Sequence, residues 1–309
     1  MAIYGLRPGS PAGADVKELK ILLRMSDIGS DVYDDPTGEA LEEFQKKLIK
    51  DKPDLSGSIL FRTVDRNTEI ELKKKWFCTF DNHVNHLRQN GKTCWAYCLA
   101  MLIGGTVKTA QTIIDKTKND QRTKRFLNAV DGLVISPADL QTFCDVHQEF
   151  SFYCLGDIGN NWVKNLIYIL GISPIKVGME DPKEGGHALV ISSVISDGNR
   201  SGYGTYVKIY NSADDPVSGK QGIHWMNYRN LVYKVMFSRF NDRYVFYKKI
   251  PGITNPTPPT IFDINNHSAL DFLIGTKSFY NPMDIAGPGM DITLQFLSQP
   301  FLRRDGSMP

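Results

Sequence analysis

Apolar residues recur at helical spacing through the first part of the chain and at strand spacing later. Between Asp15 and Met25, Val16, Leu19, Leu22 and Leu23 fall on one helical face. After the turn-rich Tyr33-Asp34-Asp35-Pro36, Thr37 stands where it can cap a second helix that carries Ala40, Leu41, Phe44 and Leu48. Lys50–Gly57 (KDKPDLSG) breaks that pattern. Residues 1–72 therefore read as a small helical domain with its own core, expected to fold alone.

From 76 to 250 the chain changes character. The spacing predicts helices over Cys94–Ile103, Val107–Lys118, Ser136–His147 and Asn161–Leu170. Ser136 is placed to cap the third, with Pro137 at its first position and Asp139 in its first turn. The period then switches to two, predicting strands at Ile175–Met179, His187–Ile195, Tyr203–Asn211, Tyr233–Ser238 and Tyr244–Lys249. Helices followed by strands, without βαβ alternation, is an α+β order. A Pro-rich linker (PGITNPTPPT) opens the segment 251–309, which reads as a C-terminal extension.

One pair of predicted strands has a register that can be read. A hairpin centred on Asn199, within SDGNRSG, sets His187 opposite Asn211 on one face, ~5 Å apart at Cβ. A slip of one residue would send one partner to the other face.

Composition removes several classes of function. The 309 residues are 41% hydrophobic and 23% charged with a net charge of +2, an ordinary globular balance that favours neither nucleic acid nor an anionic membrane. The basic run Lys116–Arg125 reads as one solvated helix face. No stretch approaches the ~18 apolar residues of a membrane span. The N-terminus MAIYGLRPGSPAG lacks the charged and apolar regions of a classical signal peptide, so synthesis in the cytoplasm is expected. Five cysteines, an odd and sparse set, do not make a disulfide framework.

Candidate chemistry centres on QNGKTCWAYCLAM, residues 89–101. Cys94 falls where a helix should begin, and the positive end of a helix lowers a thiol pKa. Cys98 lies one turn deeper and reads as packing. A nucleophilic thiol needs an imidazole, and the imidazole an orienting group. His187 follows Gly185-Gly186 at the lip of a buried strand, and the hairpin brings it Asn211. His83 and His86 read as surface or subsite residues, and His147 as a cation at a helix end. Zinc competes for Cys94/Cys98 and His83/His86, but Trp95 and Ala96 do not make a knuckle.

Two resemblances add to this reading. LRPGSPAGADVKELKILL followed by TGEALEEFQ is similar to the three-helix peptidoglycan-binding-like domain, with Thr37, Ala40, Leu41, Phe44 and Gln45 matching its second motif. Lys20 departs from the usual Gln, and Tyr33–Pro36 replaces the family's turn. Gln89, Cys94-Trp95-Ala96, Gly186-His187-Ala188 and Tyr210-Asn211-Ser212 together resemble the papain-like cysteine peptidases, closest to the compact bacterial branch of bacteriocin-processing and effector peptidases. That resemblance implies N-terminal helices packed on an antiparallel sheet over 76–250. It makes Cys94 the nucleophile, His187 the base and acid, and Asn211 the orienting residue, with Asp215 the alternative. Gln89 joins the Cys94 N–H at the oxyanion, with Asn90 the substitute because the Gln-to-Cys interval is one residue shorter than in papain. It implies a protein or peptide substrate and neither cofactor nor metal, and, with the N-terminal domain, a bacterial secreted effector or toxin. Peptidoglycan or a secretion or carrier protein is the partner implied for residues 1–72. Two other readings stay open: an amidase or endopeptidase of cell-wall peptides, and a binding or scaffold protein with a vestigial site.

Overall fold

The computed structural model describes residues 3–128, 132–154, 162–181, 185–199, 202–213, 222–231, 244–250 and 290–291. The predicted strand at 233–238 and all but two residues of 251–309 lie outside them.

Three helices come first: α1 (Ala14–Leu22), α2 (Asp35–Asp51) and α3 (Arg66–Lys73). α1 stops short of Met25 because Arg24 turns left-handed, at φ 57°, and the Met25 N–H closes on the Lys20 carbonyl at 3.0 Å. The cap of α2 is Asp34, not Thr37: the Thr37 N–H donates to its carboxylate at 3.0 Å, and the Thr37 hydroxyl donates to it as well. Pro36 suits the first turn, so the helix starts earlier than the threonine suggests. Lys20 is fully buried and reaches the same carboxylate at 2.9 Å, tying α1 to the start of α2. Gln45, also fully buried, donates to the carbonyls of Leu60 and Thr63 and accepts from the Arg62 N–H, fixing the 60–63 loop.

Beyond α3 the chain alternates between sheet and helix. It runs β1 (Cys78–Asn82), α4 (Cys94–Leu102), α5 (Val107–Asn119), a small hairpin β2 (Leu127–Asn128) and β3 (Gly132–Leu133), then α6 (Leu140–Val146), β4 (Phe150–Cys154) and α7 (Trp162–Leu170). Five more strands follow: β5 (Ile175–Asp181), β6 (Gly185–Ser196), β7 (Thr205–Tyr210), β8 (Ile223–Asn227) and β9 (Tyr244–Lys248), with a two-residue β10 (Met290–Asp291) on the edge of β1. Ser136 does not cap α6; a 3₁₀ turn at Pro137–Asp139 precedes the helix, and the Ser136 hydroxyl donates to Asp139. Within the basic run Lys116–Arg125, which starts in the last turn of α5, Arg122 pairs with Asp120 and Arg125 with Asp139 at the surface.

The fold is α+β, with one antiparallel sheet in the order β4-β9-β5-β6-β7-β8 and β1 beside the second half of β6. β6 is its spine. On one face Leu189 and Ile191 pack with Val177, Val207 and Tyr247 under α7. On the other, Ala188 and Val190 pack with Phe246, Phe143 and the buried side of α4 and α5. Both faces are covered, which accounts for the long apolar run of this strand. At Ser192 the register with β7 shifts, a bulge whose carbonyl accepts from the buried Asn82 amide at 2.9 Å.

Past the bulge, β6 joins a different core. Ile195 and Trp225 pack with Val16, Leu19, Leu22 and Trp76 of the N-terminal region, and the Trp76 indole N–H donates to the Leu22 carbonyl at 3.2 Å. Lys208 of β7, fully buried, points its ammonium between Asp15 at 3.7 Å and Glu18 at 3.6 Å of α1. The helical unit and the sheet therefore share one core, so the boundary near residue 72 divides the topology but not the packing. Among the described residues no single helix is long and apolar enough to cross a membrane.

Candidate active site

α4 starts at Cys94 after a turn that needs glycine. Gly91 sits at φ 68°, and its carbonyl accepts from the Gln89 side-chain amide at 2.9 Å. The Thr93 hydroxyl donates back to the Asn90 carbonyl, and no side chain caps the helix. The positive end of α4 is thus left to act on whatever lies before it, and Cys94 is its first residue.

The opposite wall is the start of β6. His187 is its third residue, buried at 7% exposure, and α4 packs across it. The His187 ring and the Ala188 main-chain N–H both act on the Cys94 thiol in favour of its thiolate. Burial pushes the Cys94 pKa up, but the His187 bond and charge, the Ala188 N–H and the Lys176 cation together outweigh it, and the net shift is downward. Lys176 belongs to β5 and pairs with Val190 and Phe246, both on the face covered by α4, with its ammonium 5.4 Å from the Phe246 ring centre.

His187 Nε2 lies 2.7 Å from Asn211 Oδ1. The Ala213 N–H also donates to Oδ1, at 2.9 Å, which identifies that atom as the carboxamide oxygen. Nε2 must then carry the hydrogen that the Asn211 oxygen accepts. The register differs from the one the loop suggests. β6 and β7 pair Val190 with Tyr210 and Ser196 with Thr205, so Asn211 lies diagonally across from His187 rather than opposite. The difference is two residues, and an even shift keeps both side chains on one face.

Gln89 is brought to the same place by Ser212. Its main-chain N–H donates to the Ser212 carbonyl at 2.8 Å, and its side-chain oxygen accepts from the Ser212 hydroxyl at 2.7 Å. Asn90 is exposed, and Asp215 lies outside the described residues. His86 holds Asn211 from behind, its Nε2 donating to the Asn211 carbonyl at 2.8 Å. The sequence gives no signal for that contact, which joins a loop histidine to a distant strand end. Ser212 was part of a recognisable tripeptide but carried no role until its hydroxyl was placed. Trp95 packs beneath the β2–β3 hairpin, where a Cβ on Gly132 would come within 3.2 Å of its ring. His147 is a fully buried core residue bonded to the Thr117 hydroxyl at 2.9 Å. Among the described residues no group of three His, Cys, Asp or Glu side chains is arranged to hold a metal ion.

Such a set can hold a thiolate, move a proton through one ring nitrogen and keep that ring in one tautomer. Known family models, curated proteins and solved structures offer no match to this chain.

Proposed function

We propose that the chain is a papain-like cysteine peptidase that hydrolyses peptide bonds by acyl transfer to Cys94. The observation that carries the reading is the 2.7 Å contact of His187 Nε2 with Asn211 Oδ1, on a strand packed against the helix that Cys94 opens, with the Cys94 pKa lowered by that same ring. The thiolate adds to the scissile carbonyl carbon, and the carbonyl electron pair moves to oxygen. That oxyanion lies toward the α4 N-terminus and the second, uncommitted N–H of the Gln89 amide. As the tetrahedral adduct collapses, the C–N bond breaks and Nδ1 of His187 gives its proton to the leaving amine. Water then adds to the thioester, losing its proton to the same nitrogen, and Cys94 leaves as thiolate. Asn211 keeps Nε2–H engaged throughout, so Nδ1 is the atom that cycles.

The substrate is a protein or peptide, and the resemblance of the two regions supports a role as a bacterial secreted effector or toxin. Parallel incubation of denatured casein and purified sacculi tests the substrate. Casein fragments produced by the wild type and not by Cys94→Ala support the proposal. Release of wall peptides alone would replace it with the cell-wall reading, and a Cys94 thiol that alkylates no faster than a free cysteine would leave only a scaffold.

A further inference from the structure

Three stretches of the helical unit meet at one turn. Residues 60–63 form it, closed by the Thr63 N–H on the Leu60 carbonyl at 3.0 Å. Arg62 holds its third position at φ 58°, a left-handed conformation that turns of this kind usually give to glycine or asparagine. The fully buried Gln45 enforces it. Its amide donates to the Leu60 and Thr63 carbonyls at 3.0 and 2.8 Å, and its oxygen accepts from the Arg62 N–H at 3.0 Å. The Tyr33 hydroxyl donates to the Arg62 carbonyl at 2.7 Å, which brings in the second stretch. The third joins through the Gly5 N–H on the Val64 carbonyl and the Val64 N–H on the Leu6 carbonyl, at 2.8 and 2.9 Å.

A conformation held this firmly against its own strain points to a use, and what it presents is apolar. Leu60 is 63% exposed and Phe61 50%, while on the two neighbouring stretches Tyr4 is 61% and Val32 50% exposed. The fold gains nothing from them, since the core of this unit is made by Ile3, Tyr33 and Val64 instead. Apolar side chains carried outward on a preorganised backbone are what a binding surface needs, because little further ordering is required when a partner covers them.

Charge selects among partners. The Arg62 stem lies along α2, where a Cβ on Gly38 would meet its Cδ at 3.5 Å, and its Nε donates to Glu42 at 2.7 Å. Glu39 and Asp35 stand one and two turns before Glu42 on the same face of α2. Both are exposed and have no ion-pair partner among the described residues. Exposed apolar side chains beside two unmatched carboxylates suit an apolar stripe flanked by lysine or arginine, the make-up of a basic amphipathic helix. They suit peptidoglycan poorly, since its stem peptides carry carboxylates of their own.

We propose that the Leu60–Phe61 turn, with Tyr4, Val32, Asp35 and Glu39, is a docking surface for a basic amphipathic helix of another protein. The apolar stripe of that helix covers the turn, and its cations face α2. The surface belongs to the helical unit and does not depend on the chemistry at Cys94.

Fluorescence anisotropy of two labelled model helices, one of leucine and lysine and one of leucine and glutamate, tests it against the full chain. The leucine/lysine helix is expected to bind and the other not. Phe61→Ser should weaken binding about 30-fold, the cost of truncating a central anchor. Asp35→Asn combined with Glu39→Gln should weaken it about fivefold at low salt and leave it unchanged at high salt. Circular dichroism of these variants should match the wild type, because Gln45 and its bonds are untouched. Binding that Phe61→Ser leaves intact, equal binding of both helices, or binding of neither would overturn the proposal. So would retention on purified sacculi, or self-association in sedimentation, that Phe61→Ser abolishes, since the face would then belong to the wall or to a second copy of the chain.

Discussion

Replacing Lys208 with methionine removes a buried cation that faces three carboxylates across the junction of the helical unit and the sheet. Asp15 and Glu18 of α1 stand at 3.7 and 3.6 Å from its ammonium, and Asp81 of β1, itself accepting from the Ser193 hydroxyl at 2.7 Å, feels the same charge. Methionine fills a similar volume, so the loss is electrostatic. Removing one partner of a buried ion pair costs about 3–5 kcal/mol, because it strands the other. At about 2 °C per kcal/mol for a chain this large, the thermal midpoint should fall by about 6–10 °C. The pH dependence identifies the cause. Burial, partly offset by Lys208, raises Glu18 to about 7, so the folded state binds this proton more tightly than the unfolded chain does. The Glu18 contribution is thus fully present below the ordinary carboxylate range and lost as pH rises through about 7. Without Lys208 that loss deepens, so the deficit of Lys208→Met should be largest above pH 7 and shrink toward pH 5. Differential scanning fluorimetry of both proteins across this range measures it. A deficit below about 1 kcal/mol, or one independent of pH, would refute the buried-charge account of the junction.

Asn211→Ala should lower kcat about 10²-fold without unfolding the protein, since it frees the ring that aligns with the thiol; His86→Ala should act in the same direction and less strongly. Circular dichroism beside the kinetics separates lost alignment from lost structure. Cys94, whose pKa is lowered, should keep alkylating by iodoacetamide as pH drops below the ordinary thiol range and slow only as pH falls through its depressed value. His187→Ala should move that transition upward, Lys176→Met should do so by less, and Lys176→Arg should leave it in place. Deleting residues 1–72 should expose Ile195 and Trp225 and strand Lys208, so the remaining chain is expected to aggregate on expression. A soluble, monomeric truncation with an intact fast thiol would show instead that the two regions are separable.

Cys94 and His187 were legible because each occupies a position whose physics is local: the first residue of a helix, and a polar residue at the lip of an apolar strand. The face shared by His187 and Asn211 was legible too, but their register was not. The loop between β6 and β7 runs from Asp197 to Gly204, and the bulge at Ser192 changes the pairing in mid-strand, neither of which alternation can reveal. Strands β1 and β4 escaped because CTFDN and FSFYC are too short to establish a period. The Lys208 junction was illegible for a different reason. A lysine in a strand usually marks solvent, and only a carboxylate from a distant helix makes its burial tolerable. The same holds for Lys20, whose partner Asp34 stands in the sequence as part of a turn.

The arrangement of Cys94 against β6 has a consequence for the growing chain. The thiol leaves the ribosome on α4, whereas the ring and the N–H that depress its pKa belong to a strand made much later. That strand finds its place only by pairing with β1, β5 and β7, so the last of its partners is later still. Until then Cys94 is an ordinary cysteine at the end of a short helix, with no imidazole to charge it. Chain order therefore sets when that shift can appear. The Cys94 thiol passes through synthesis without the groups that lower its pKa, and the closing of the sheet brings them to it.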